Sequence, residues 1–153
     1  MSEDKSNLLF RSTFGFICSP IVPCFLYTKL SWGEAFFPMI FVVIFTAYLL
    51  SVIFLLPAYL VMFHKKIFNV YSSSFISFFI IFLTFCTFFL ISGAGYNSLT
   101  AGAEVLVEEG VMTAAGYARA SYSAFLIGLF GMLGGFIFSI FVRGRKVFRL
   151  SFV

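Results

Sequence analysis

The sequence predicts an all-α membrane protein with four transmembrane helices, both termini in the cytoplasm, and a short periplasmic β-hairpin or loop between helices 3 and 4. Composition gives the membrane assignment: 61% of the 153 residues are hydrophobic, only 10% are charged, and the mean hydropathy is +1.08. A soluble domain of this size has too little interior to bury so much apolar surface. The distribution of Lys and Arg gives the topology. We therefore expect a single polytopic membrane domain over residues 1–153.

Four apolar runs are candidates for spanning helices, since a helix needs about 20 apolar residues to cross the hydrocarbon core. They cover approximately residues 12–27, 35–63, 75–91 and 122–142. The first run is short and contains Pro20 and Pro23, which break or kink a helix, so whether it spans fully stays open. Pro57 removes one helical hydrogen bond from the second run. The first run could instead be a signal peptide, but its start, MSEDK, is acidic where a signal peptide is basic.

The positions of the basic residues predict the orientation in a bacterial inner membrane. Cytoplasmic segments of membrane proteins carry an excess of Lys and Arg. With both termini inside, eight of the ten basic residues lie on the cytoplasmic side, and only Lys29 and Arg119 lie on the other side. The segment at about residues 96–120 then faces the periplasm.

This periplasmic segment includes AGAEVLVEEGVMTAAGY, residues 101–117, which contains three of the six acidic residues of the chain. Two short extended runs, EVLV and VMTA, flank a turn in which Gly110 supplies a positive φ, and this pattern predicts a β-hairpin. The alternative is an irregular loop followed by an interfacial helix. Glu104, Glu108 and Glu109 are candidate contacts for a periplasmic partner, and the alternative role of these acids is to keep the loop solvated.

The fourth run has a stripe of small residues at helical spacing, which places them on one face. In lipid, helices associate where small residues let their backbones approach, and Gly131 with Gly135 forms a GxxxG pair. The face packs either against helix 2 or 3 of the same chain or against another copy or another membrane protein. The stripe comprises Ser121, Ala124, Gly128, Gly131, Gly135 and Ser139.

The residue inventory disfavours an enzyme. Catalysis needs a nucleophile with its base, paired carboxylates or a metal cluster, and the single histidine, His64 in FHKK, fits an interfacial anchor. We predict no catalytic residue, cofactor or metal, and no direct nucleic-acid binding. A transport or channel component is the alternative class. Its polar path would be limited to hydroxyls within the apolar runs, namely Thr46, Ser51, Thr84, Thr87 and Ser92.

Several segments carry a resemblance to known small membrane proteins. SPIVP in the first run, LLPAYLVMFHKK closing the second, and GLFGMLGGFIF in the fourth resemble small four-helix inner-membrane proteins of proteobacteria. In size and layout the chain is similar to colicin-type immunity proteins and to phage superinfection-exclusion protein A. The resemblance implies a protein that blocks a toxin or the entry of phage DNA by protein contact, but no residue of those families is carried over to this chain.

Overall fold

The computed structural model describes residues 2–32, 36–93, 98–101 and 104–143. Within them, four helical segments are long and apolar enough to cross a membrane: Phe10–Ser31, Phe37–His64, Val70–Ser92 and Ala114–Val142. The prediction of four spanning runs is therefore confirmed. The helices are α1 (Ser2–Cys18), α2 (Ile21–Trp32), α3 (Phe36–Leu50), α4 (Leu56–His64), α5 (Val70–Gly93) and α6 (Ala114–Arg143), and the strands are β1 (Ser98–Ala101), β2 (Glu104–Glu108) and β3 (Val111–Met112).

The first span is longer than predicted, and its helix is interrupted where the prolines indicate. α1 ends at Cys18 and α2 begins at Ile21, so the interruption lies at Ser19 and Pro20. Pro23 lies in the first turn of α2. A backbone N–H there has no acceptor within the helix, so the lack of an N–H in proline costs no helical hydrogen bond. The backbone N–H of Ser19 donates to the Gly15 carbonyl and that of Cys24 to the Pro20 carbonyl, at 2.9 and 3.0 Å. The prolines thus divide this span into two helices, and these two backbone hydrogen bonds continue across the interruption.

The second span contains a π-helical segment, Ser51–Leu55, between α3 and α4. The N–H of Leu56 donates to the Ser51 carbonyl, one residue further back than in an α-helix. Pro57 follows directly in the first turn of α4. A proline ring clashes with the carbonyl four residues before it, and the wider π turn moves that carbonyl aside. The predicted proline distortion is therefore a change of helical pitch.

The third span begins five residues before the predicted start because Asn69 caps it. The Ser72 N–H donates to Asn69 Oδ1 at 2.7 Å, and the Asn69 N–H donates to Ser72 Oγ at 3.0 Å. This reciprocal pair satisfies backbone donors at the helix start, as in a capping box. Lys66, two residues after the end of α4 at His64, has a φ of 58°, and the Ile67 N–H donates to the Met62 carbonyl at 3.1 Å. This is a Schellman ending in which a lysine takes the place usually held by glycine.

The chain divides into two compact units. The first consists of Met1–Phe78 and Phe130–Val153, and the second of Phe79–Leu129. In the first unit, a Cβ added to Gly15 of α1 would lie 2.7 Å from the Cβ of Phe141 in α6. Two ring contacts, Phe14 with Phe141 and Phe16 with Phe138, join the same two helices, with centroids 5.5 and 6.4 Å apart. Gly15 therefore permits a close approach of α1 to the second half of α6.

The second unit contains a three-stranded antiparallel sheet in the order β1-β2-β3. β2 pairs with β3 through Val107 with Met112 and Glu108 with Val111, so the predicted hairpin is confirmed. β1 was not predicted. It pairs with β2 on the other side through an irregular register between Leu99 and Thr100. A third strand stabilises a hairpin that is marginal as an isolated pair in water.

Candidate functional site

The acidic turn of the hairpin has a tightly defined backbone. Because Glu108 pairs with Val111, only Glu109 and Gly110 form the loop. Both have positive φ, 51° and 79°, as in the type I′ turn that matches the twist of two paired strands. Gly110 adopts this conformation without steric cost, whereas a glutamate pays for it. The turn therefore fixes the backbone at Glu109.

The side chains of this hairpin differ sharply in exposure. Leu106 is 9% exposed and Val107 is fully buried, whereas Glu104, Glu108 and Glu109 are exposed. Val111 beside the turn is 66% exposed. The predicted contact residues are thus exposed, and Val111, which pairs with Glu108, adds an exposed apolar side chain beside the turn. We call the surface formed by Glu108, Glu109 and Val111 the acidic turn surface.

Thr113 joins the hairpin to α6. Its hydroxyl donates to the Val105 carbonyl at 2.6 Å and accepts from the Gly116 N–H at 3.1 Å. Its own N–H donates to the Leu106 carbonyl at 2.9 Å. The hydroxyl therefore caps the helix start while it binds the central strand. α6 begins directly after β3, at Ala114 and not at the predicted Tyr122.

Gly116 in the first turn of α6 lets the strand lie against the helix. A Cβ added there would overlap the Leu106 carbonyl and would lie 2.9 Å from Met112 Cγ. Any side chain at this position would push β2 away from α6. The sheet therefore rests on the first turns of the helix through contacts within a short stretch of chain.

An open groove runs beside this junction. Its lining comes from one face of α6 and from the start of β2: Glu104, Ala115, Ala118, Arg119, Tyr122 and Ser123. Glu104 and Arg119 are both exposed. Among the described residues, the two side chains form no ion pair within 4 Å of each other. We call this feature the Glu104–Arg119 groove.

The small-residue face of α6 is placed residue by residue. Ala124 is fully buried and Gly128 is buried in the second unit, whereas Gly131 is partly exposed in the first unit. A Cβ added to Gly135 would overlap Ser77 Oγ and would lie 2.7 Å from the Ser73 carbonyl and 3.0 Å from Ser74 Cα in α5. For Gly135, the described contacts are those of packing against the third span of the same chain.

Buried hydroxyls surround this glycine contact. Ser73, Ser77 and Ser139 are fully buried. Ser73 is hydrogen-bonded to Ser139, and Ser77 Oγ donates to the Ser73 carbonyl at 2.7 Å. Tyr59 of α4, 4% exposed, shares a 2.6 Å hydrogen bond with Ser77. We call these four residues the hydroxyl cluster.

Aromatic rings cover one side of the hydroxyl cluster. Tyr59 stacks on Phe138 with centroids 4.5 Å apart and meets Phe68 edge-on at 6.1 Å. Phe68 in turn stacks on Phe63 at 4.2 Å. Hydroxyls in lipid must find partners within the protein, and here each one does. The cluster joins α4, α5 and α6 in the first unit.

The candidate polar path of a transporter is satisfied locally at two positions. Thr46 Oγ1 donates to the Val42 carbonyl at 2.8 Å, and Thr84 Oγ1 donates to the Ile80 carbonyl at 2.7 Å. Threonines in apolar helices often bond their own backbone in this way. In the described part of the chain, no three His, Cys, Asp or Glu side chains come close enough to hold a metal ion.

Comparison with known proteins adds no relative. No family model, no curated protein and no solved structure matches the chain. The acidic turn surface and the Glu104–Arg119 groove are exposed, charged features of the described residues.

Two residues of these features were not predicted from the sequence. In the sequence, Thr113 belongs to the extended run VMTA, although a threonine before a small-residue helical stretch is also an N-cap signal. The charge distribution predicts Arg119 only as one of two basic residues outside the cytoplasm. Its spacing from Ala115 and Tyr122 on one helical face could have indicated a shared surface, but its proximity to Glu104 depends on how the sheet folds back.

Proposed function

We propose that this protein is a non-enzymatic, multi-pass protein of a bacterial inner membrane that blocks a foreign agent by protein contact in or beside the bilayer. The agent is either the phage apparatus that delivers DNA or a pore-forming toxin. Both termini lie in the cytoplasm, and the hairpin faces the periplasm. The contact surface includes Glu104, Glu108 and Glu109. The small-residue face of α6 between Ala124 and Gly135 supports the same role through internal packing or self-association.

The acidic turn surface is the observation that carries this proposal. A two-residue turn holds Glu109 with positive φ while Glu108 and Val111 pair beside it. An exposed combination of carboxylates and one apolar side chain on a fixed backbone suits recognition, because little backbone freedom is lost on binding. Complementary charge on the partner accelerates encounter and fixes register. No catalytic group is needed for such a block.

The charge of the turn also suits a target with a basic surface. Three glutamates lie within residues 104–109, and all three are exposed. An exposed ion pair contributes only about 0.2–1 kcal/mol, so affinity must come from several pairs together with burial of Val111. We therefore expect each single glutamate substitution to have a small effect and their combination to have a large one.

A challenge assay tests the proposal. The protein is expressed in a susceptible bacterium, and survival is measured against a panel of phages and pore-forming toxins. Protection against one class of agent is expected, and it should fall when Glu108 and Glu109 are both replaced by Gln. The charge-conserving double variant E108D/E109D is the matched control and should retain most of the protection.

The outcomes separate the function from the placement of its surface. Equal protection by the wild type and by E108Q/E109Q, at equal amounts in the membrane, would refute the contact surface. If cells that express the wild-type protein were sensitive to every agent, the blocking function would be refuted. In that case, co-purification of a larger complex would test the alternative, an accessory subunit of a transport or channel complex.

A further inference from the structure

We propose that the Glu104–Arg119 groove binds the headgroup of a phospholipid that carries both a phosphate and a primary ammonium group, as phosphatidylethanolamine does. The proposal shares Glu104 with the proposed contact surface but does not rest on the protective function, because it concerns the bilayer that surrounds the protein and is tested on the purified protein without any agent. Arg119 takes the phosphate, and Glu104 takes the ammonium.

The depth of the groove in the membrane follows from the length of α6. The apolar span Ala114–Val142 contains 29 residues, whereas about 20 residues cross the hydrocarbon core. A tilt of about 20° accounts for only one or two of the extra residues. The sequence beyond Val142 is strongly basic, with Arg143, Arg145 and Lys146, and basic side chains anchor that end at its interface. The excess length therefore lies at the Ala114 end.

Counting back from Val142 places the groove among the headgroups. Twenty residues of α6 in the hydrocarbon core reach to about Ser123, and each further residue rises about 1.5 Å. Arg119 then lies about 6 Å outside the hydrocarbon boundary, within the headgroup layer. Tyr122, 64% exposed, lies at the boundary itself, where tyrosine is favoured.

The lining of the groove fits a ligand with two opposite charges. A purely anionic headgroup would meet the carboxylate of Glu104, and a purely cationic ligand would meet the guanidinium of Arg119. In the described part of the chain, these two groups have no ion pair with each other, so both stay available. The guanidinium suits phosphate because its N–H groups match the geometry of the oxygens, and the carboxylate accepts hydrogen bonds from a primary ammonium.

The remaining lining residues fit the same ligand. Ala115 and Ala118 lack bulky side chains and leave the helix face open beside Arg119. The hydroxyl groups of Tyr122 and Ser123 can donate to phosphate oxygens. A choline headgroup has no N–H to donate to Glu104. The groove should therefore prefer ethanolamine over choline, and both over the anionic glycerol headgroup.

Lipid retention measured by native mass spectrometry tests this proposal. The full-length protein, purified in a non-ionic detergent, is incubated with phosphatidylethanolamine, phosphatidylcholine or phosphatidylglycerol of identical acyl chains. The wild type should retain the ethanolamine lipid most strongly. E104Q should lose up to about fivefold in affinity for that lipid, the upper end of the effect of one exposed ion pair, and should no longer distinguish it from the choline lipid. R119Q should lose affinity for both.

The matched control is E108Q, which removes the same charge from the same strand outside the groove. It should retain lipid like the wild type. Thermal unfolding of each variant checks that the fold is intact. R119K separates the effect of charge from that of geometry on lipid retention, since lysine keeps the positive charge without the guanidinium geometry. Equal retention of the three lipids by the wild type, or equal losses in E104Q and E108Q, would overturn the proposal.

Discussion

Replacing Gly135 by alanine tests whether the close approach of α5 and α6 holds the first unit together. The added Cβ would overlap Ser77 Oγ and would lie 2.7 Å from the Ser73 carbonyl and 3.0 Å from Ser74 Cα. Two of these neighbours are backbone atoms that cannot rotate away. The helices must separate or shift along each other, and the hydroxyl cluster, whose geometry depends on that approach, must change with them.

The cost can be estimated from known substitutions. Overpacking a well-packed core costs about 1–3 kcal/mol, and alanine favours a helix over glycine by up to about 1 kcal/mol. We expect G135A to destabilise the protein by about 1–2 kcal/mol after this gain. The adjacent G134A is a matched control. Its Cβ would lie 3.5 Å from the Ser19 carbonyl and 3.7 Å from Pro23 Cγ, which is ordinary contact, so this variant should be as stable as the wild type or more stable.

Equilibrium unfolding in mixed micelles, followed by helical circular dichroism, measures both variants. A free energy of unfolding for G135A equal to that of the wild type would refute the close packing of Gly135 on α5. An equal loss in G134A would also refute it, because the effect would then come from glycine in general and not from this contact.

Three further predictions concern other parts of the fold. T113V keeps the shape of the side chain but removes the hydroxyl, so it should lower the free energy of unfolding by about 1 kcal/mol and speed amide exchange in β2. T113S keeps the hydroxyl and should preserve both the stability and the exchange rate. Unchanged exchange in T113V would contradict the bridging role of the hydroxyl. Y59F removes the hydrogen bond to Ser77, whose hydroxyl keeps its bond to Ser73, so it should lower the free energy of unfolding by only about 1 kcal/mol. Y59A also removes the ring stacked on Phe138 and should lower it by about 3 kcal/mol or more. Equal losses of the two variants in micelle unfolding would contradict this ranking. E109N should stabilise the hairpin by about 0.5–1 kcal/mol, since asparagine tolerates positive φ better than glutamate. Amide exchange of Val111 should then be slower than in the wild type, and faster exchange would contradict the type I′ turn.

The features that the sequence predicted are those that depend on local residue preferences, and the features that it did not predict depend on contacts between separate elements. Apolar run length alone gave four spans, because lipid accepts few alternatives to a long helix. Gly110 indicated the hairpin turn, since a positive φ has few residue choices. The start of the third span at Val70 depends on the reciprocal cap of Asn69 and Ser72, which lies in a polar stretch outside the apolar run.

The site was less predictable for a physical reason. The stripe through Gly135 could be read from spacing, but its partner could not, because lipid-facing and helix-facing surfaces are equally apolar. The serines of α5 that receive Gly135 look like ordinary small residues in sequence. Likewise β1 has a four-residue pattern too short to be recognised, and the groove exists only because β2 folds back beside Arg119.

The sheet of the second unit also bears on how the protein is assembled. Its paired residues are close in sequence, the widest described pair being Ser98 with Glu108, and its supports Thr113 and Gly116 follow within a few residues. Short sequence separations cost little loop-closure entropy and form quickly. The segment can therefore fold before α5 and α6 have associated along their length. The hairpin would then be complete at an early stage of biogenesis, and the slower step would be the docking of Gly135 onto α5.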